Sequence, residues 1–175
     1  MADFNMVPED DDDVELLTPK EEALETTVLD SLKNELKRVV KNDPLTLAVP
    51  SRPGMSIVFD TNVEATQLQH WRKASSDKSM PDKFDGLKFS AIIIANQALQ
   101  VLYKNEIAVD TDGNDLNFRN PNFTAMLGND RASVAVRKLY GVDGHIFIVA
   151  NQILSAAGYD DGEQGATGTD PTLVS

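Results

Sequence analysis

The apolar positions of this chain recur mostly at helical spacing. Leu24, Val28, Leu32, Leu36 and Val39 stand three or four residues apart, and Leu29 and Val40 widen the stripe. The pattern predicts an amphipathic helix over 19–41, about six turns at 3.6 residues per turn. Thr18-Pro19-Lys20-Glu21 offers a cap, a proline suited to the first turn and the acid of a capping box. Lys37, Arg38 and Lys41 complement the dipole at the far end, and Asp43-Pro44 is the expected stop.

Alternation takes over next. Leu45, Leu47 and Val49 form one short run, Met55, Ile57 and Phe59 another, separated by Pro50-Ser51-Arg52-Pro53-Gly54. The prolines argue for a small hairpin or an irregular β segment rather than a central sheet. Val63, Leu68, Trp71 and Ala74 predict a helix over 63–75, capped from Asp60-Thr61-Asn62, and Ser75–Asp85 is a polar loop. Gly86–Lys104 is the most apolar span, expected as one long helix at the centre of the core; Ile92-Ile93-Ile94 is β-branched, but the length of the pattern favours helix.

Ile107–Val109, Asp112-Gly113 and Leu116–Phe118 read as a β-hairpin. Asn120-Pro121 restarts a short helix. Asp130 caps another, running through Val134, Val136 and Leu139. A last helix over 143–157 buries Ile146, Ile148 or Val149, Ile153 and Leu154. Gly128, Gly141 and Gly158 each suit the left-handed residue past a helix end. The expected fold is mainly α (α+β): one compact helical domain over 18–158 with one or two small β-hairpins.

Composition changes this picture at the ends. The chain has 175 residues, 41% of them hydrophobic, and a net charge of −12. Residues 1–17 hold seven acids and 159–175 hold four, with no base in either, so the span between them carries a net charge of only −1. The first stretch reads as a disordered acidic arm and the second as a flexible tail bearing Gly and Asp. Both serve solubility; the arm's alternative role is to compete for a basic surface on a partner. Bases and acids interleave elsewhere, as in Arg72, Lys73, Lys78, Lys83 and Lys88 with Asp77, Asp82 and Asp85, which reads as a solvated face. Nucleic-acid binding is not expected without a basic surface. Nor is a membrane span, the longest apolar stretches being Ala91–Ala95 and Ile146–Ala150. With no cysteine and no export signal in view, an intracellular protein is expected.

Candidate chemistry is sparse. Without cysteine there is no thiol nucleophile and no thiolate zinc site, and His70 and His145 are the only histidines. His145 has no identifiable nucleophile or orienting acid, and reads as a surface or capping residue; His70 belongs to a half-buried helix face beside Trp71, which is either core or a partner anchor. Asp110-Thr111-Asp112-Gly113-Asn114-Asp115 begins like a calcium loop, but Asp115 stands where the turn glycine belongs and Pro121 where the bidentate acid belongs, so a turn is favoured. Gly162, Gly165 and Gly168 lack the strand, helix and lysine of a phosphate loop, and Asn122-Phe123-Thr124 is a sequon only formally. No catalytic residue, metal site or cofactor is expected, and the chain reads as a binding protein rather than an enzyme.

Several segments together resemble the tail assembly chaperones of long-tailed phages that infect actinobacteria. They are Val58-Phe59-Asp60-Thr61-Asn62-Val63, Trp71-Arg72-Lys73-Ala74, Asp85-Gly86-Leu87-Lys88-Phe89, Asp112-Gly113 with Leu116 and Phe118, Ala135-Val136-Arg137-Lys138-Leu139-Tyr140-Gly141, and Ala156-Ala157-Gly158-Tyr159. The resemblance covers 58–159 and rests on segment order and spacing. It implies an assembly factor of the host cytoplasm, absent from the mature virion, that keeps the tape measure protein soluble and helps tail tube protein polymerise around it. It also implies a longer form made by a programmed frameshift, with Gly162-Glu163 as the candidate slippery site.

Under this reading Leu32, Leu36, Val39 and Val40 are the candidate client surface; the alternative is that they pack on the domain core. Self-association into a homo-oligomer stays open. Two other functions are a virion structural protein, such as a head–tail connector or minor tail component, and an acidic protein that binds a host factor.

Overall fold

The computed structural model describes residues 19–80 and 82–159, with side chains described from residue 27 onward. The arm at 1–17 and the tail, apart from Tyr159, lie outside the described residues. The chain divides between Val40 and Lys41 into two units, inside the span expected to form one domain.

Of the first unit, one helix is described, α1 (Pro19–Lys37). It ends four residues short of the expected helix end at 41. The Arg38 N–H closes a tight last turn on the Glu35 carbonyl at 3.0 Å, and the adjacent β-branched Val39 and Val40 do not extend the helix.

Among its described residues, the second unit places four antiparallel strands beside five helices. The strands are β1 (Leu45–Ala48), β2 (Met55–Phe59), β3 (Ala98–Tyr103) and β4 (Glu106–Ile107), in the spatial order β1-β2-β3-β4. The helices are α2 (Ala65–Ala74), α3 (Gly86–Gln97), α4 (Pro121–Met126), α5 (Ala132–Tyr140) and α6 (Asp143–Ala156). This is the expected α+β class, with a correction: β2 is an inner strand. Its prolines lie in the β1–β2 connection, where no ladder bond is lost. Leu45 pairs with Phe59 and Ala48 with Ser56. Ile57 and Phe59 point into the core, fully buried.

The long helix expected over 86–104 is two elements. α3 stops at Gln97 and β3 starts at the next residue. The helix-ending carbonyls are claimed from a distance: Arg119 donates to the Asn96 carbonyl at 2.8 Å and the Asp60 N–H to that of Gln97 at 2.8 Å. The Gln97 amide in turn donates to the Asp60 carbonyl at 2.8 Å. These bonds take the place of a further helical turn. Ala98 and Val101 then turn inward, while Leu99 and Tyr103 face out. Ile92-Ile93-Ile94 is helical, as the pattern predicts.

β3 and β4 form a hairpin that the spacing did not reveal. Its two turn residues, Lys104 and Asn105, both have positive φ, 51° and 66°, the twist-matched geometry of a two-residue connection. The hairpin expected across Asp112-Gly113 is reduced to one bridge, Val109 to Asp115.

Helix ends follow local chemistry in part. Asn120 caps α4, accepting from the Asn122 N–H at 2.9 Å, and Gly141 ends α5 in the left-handed region. The cap of α2 is Glu64, in a capping box with Gln67, rather than Asp60-Thr61-Asn62. Thr61 is buried and donates to the Asp43 carbonyl at 2.8 Å. Arg131, not Asp130, precedes α5.

α3 packs on α5, α6 and α2. Ile93, Ile94, Val136, Tyr140, Ile146, Ile153 and Leu154 are the fully buried centre. On α6 it is Val149 that is buried and Ile148 that is exposed. The β1–β2 connection holds the end of α5: Arg52 Nε donates to the Leu139 carbonyl at 3.1 Å and Ser51 Oγ to that of Tyr140. Two carbonyls without helical partners are thereby satisfied, one by a cation placed where the dipole favours it.

Candidate binding surface

From residue 27 onward α1 presents its apolar residues to solvent. Val28, Leu32 and Leu36 follow one another at intervals of four, so they line one face over about 12 Å at 1.5 Å rise per residue. Leu32 is 52% exposed, Leu36 76%, Val39 72% and Val40 90%. Val28 and Leu29 are exposed too. Of the four candidate residues, Leu32 and Leu36 stand on the helix, whereas Val39 and Val40 follow its end. Each such side chain left in water forgoes about 1.5–3 kcal/mol of burial. Lys33–Asp30 at 3.7 Å and Arg38–Glu35 at 3.6 Å are exposed pairs one turn apart that flank the row; pairs of this kind are worth only tenths of a kcal/mol.

The other candidates resolve into structure. Trp71 is buried in the core, and His70 is exposed instead of half-buried. His145 is half-buried on α6, and its Nδ1 finds no hydrogen-bond partner among the described residues.

The Asp110 turn is a closed polar network. Its carboxylate accepts from the N–H groups of Asp112 and Asn114, each at 2.9 Å, and from the side-chain amides of Asn114, Asn120 and Asn122. The backbone donor of Asn114 and the Asn120 amide hold this carboxyl well below its usual range. Its lone pairs are already taken, so the resemblance to a calcium loop ends in a turn. Among the described residues no cluster of three or more His, Asp or Glu stands ready for a metal ion, and no helix is long and apolar enough to cross a membrane.

The signal that sequence reasoning had for the α1 row was its period. The period says that the residues share a face; their exposure comes from the structure. Compared with protein-family models, curated proteins and solved structures, the chain matches none.

Proposed function

We propose that the chain is a tail assembly chaperone of a long-tailed phage. In this reading it binds the tape measure protein in the host cytoplasm and promotes tail tube assembly. The observation that carries it is the exposed apolar row of α1, with Leu32 and Leu36 at its centre. A long client that assembles through apolar helical faces must have them covered until assembly, and a helix laid along such a face covers it through residues four apart. The segment order over 58–159 supports the choice of client.

Two measurements test the proposal together. Co-expression of the tape measure protein with this chain is expected to keep the client in the soluble fraction and to let the two be purified as a complex. Mass spectrometry of purified phage particles is expected to find the client and not the chaperone. A chain present in particles at the copy number of a structural ring would make it a virion component and end the chaperone reading.

A further inference from the structure

The lysines that alternate with acids between residues 73 and 88 are brought to one groove. Lys73 comes from the last turn of α2, Lys78 and Lys83 from the connecting loop, and Lys88 from the first turn of α3; they line an open groove of about 750 Å³. The loop is closed into a ring, which holds them there. Ser76 bridges to Phe84, the Asp77 N–H reaches the Lys83 carbonyl at 3.1 Å, and the Asp85 N–H reaches that of Ser75 at 3.1 Å.

The groove has two acids; both are hydrogen-bonded locally, and Asp77 also lies within electrostatic reach of Lys88. Asp77 accepts from the Ser79 N–H at 2.9 Å and its hydroxyl at 2.6 Å; Asp85 caps α3 by accepting from the Lys88 N–H at 3.0 Å. None of the four lysines forms an ion pair among the described residues. A cationic hollow thus stands in a chain of net charge −12.

Beside the lysines the surface is aromatic. Phe84 lines the groove and is 44% exposed, held by Phe89 with ring centres 5.3 Å apart. Phe147 of α6 is also exposed. The two rings flank Gly86: where a Cβ would stand, Phe147 lies 3.6 Å away and Phe84 3.8 Å.

We infer that this groove receives an acidic segment of a partner protein, with carboxylates on the lysines and an apolar side chain between Phe84 and Phe147. Charge complementarity selects the acids and the exposed ring pair selects the apolar anchor. A nucleic acid fits less well, because outside the groove the span 18–158 carries more acids than bases and offers no surplus of cations to a phosphate backbone. The inference does not depend on the α1 row: either can fail while the other stands.

The test is fluorescence anisotropy of a labelled synthetic peptide, Asp-Glu-Asp-Leu-Asp-Glu-Asp-Leu, titrated with the full chain. Binding is expected at low salt, weakening by about tenfold or more on raising ionic strength from about 0.02 M to about 0.2 M. Lys83→Glu with Lys88→Glu is expected to abolish it. Phe84→Ser should weaken it severalfold at unchanged salt dependence, while Phe147→Ser reports on the anchor without touching the loop. All of these residues are exposed, and a thermal melt confirms the fold of each variant. No binding by the native chain, binding indifferent to the charge reversal, or tighter binding of a thymidine oligonucleotide at the same lysines would each overturn the inference.

Discussion

Helices α1 and α6 carry similar apolar spacing and sit in opposite surroundings. On α6, Ile146, Val149, Ile153 and Leu154 are at most 2% exposed, whereas on α1 the residues Val28, Leu29, Leu32 and Leu36 are at least 50% exposed. α6 is held by its own domain: α3 and α5 cover it. α1, from residue 27 onward, keeps its stripe exposed. The contrast separates two uses of one sequence pattern. A period of 3.6 states that a face exists, and only the environment states whether that face is already spent on folding. An apolar row that folding leaves exposed is free to do work on another molecule.

The sharpest way to break the contrast is to trim both helices alike. Ile153→Ala is expected to cost about 2–5 kcal/mol, the usual toll of emptying a packed site, whereas Leu36→Ala should stay within about 0.5 kcal/mol of the native chain. Urea denaturation measures both. Equal losses would erase the distinction between the helices.

A smaller effect concerns the quality of the buried side. The Tyr140 hydroxyl is buried with no partner among the described residues, and burial pushes its pKa up from the usual value near 10.0. Tyr140→Phe is therefore expected to raise stability by about 1 kcal/mol. The pH dependence follows. Above a pH of about 10 the unfolded tyrosine releases its proton while the folded one keeps it, so unfolding gains and stability falls as pH rises. The Phe variant should lose that alkaline slope. Calorimetric melts at neutral and alkaline pH decide the matter.

Smaller again is the Asp110 turn, where the effect is local. Asp110→Ala removes the acceptor shared by Asp112, Asn114, Asn120 and Asn122, so faster amide exchange is expected at residues 112 and 114 while α6 keeps its protection. Because the folded carboxyl is held below its usual range, the native turn should keep this order until the pH falls below the ordinary carboxylate range of about 4. Loosening of α6 in the variant would show that the turn holds up the core.

Much of the fold was legible where its signals are local. Gly141 and Gly158 end α5 and α6 with φ of 70° and 93°, as a glycine just past a helix end suggests, and Asn120-Pro121 starts α4 as read. The reading failed where distant residues decide. α3 ends because Arg119 and Asp60 take its last carbonyls, and no residue near Gln97 announces them. Thr61 looks like a cap, but Asp43 claims its hydroxyl. Lys104 is an unusual choice for a positive φ, which hid the β3–β4 turn. The same holds at the surfaces. The α1 stripe was visible as a period and its exposure was not, and Lys73 and Lys88 are fifteen residues apart in a stretch that reads as ordinary solvated charge.

Leu36→Asp carries the central claim, that the exposed face of α1 binds a client. The direct measurement is the soluble fraction of the tape measure protein co-expressed with either form of this chain, alongside the melting curve of the variant. The native chain is expected to hold the client in solution, and Leu36→Asp, melting like the native chain, to leave it in the pellet. A client that stays soluble with the variant, or a variant that no longer folds, would contradict the account.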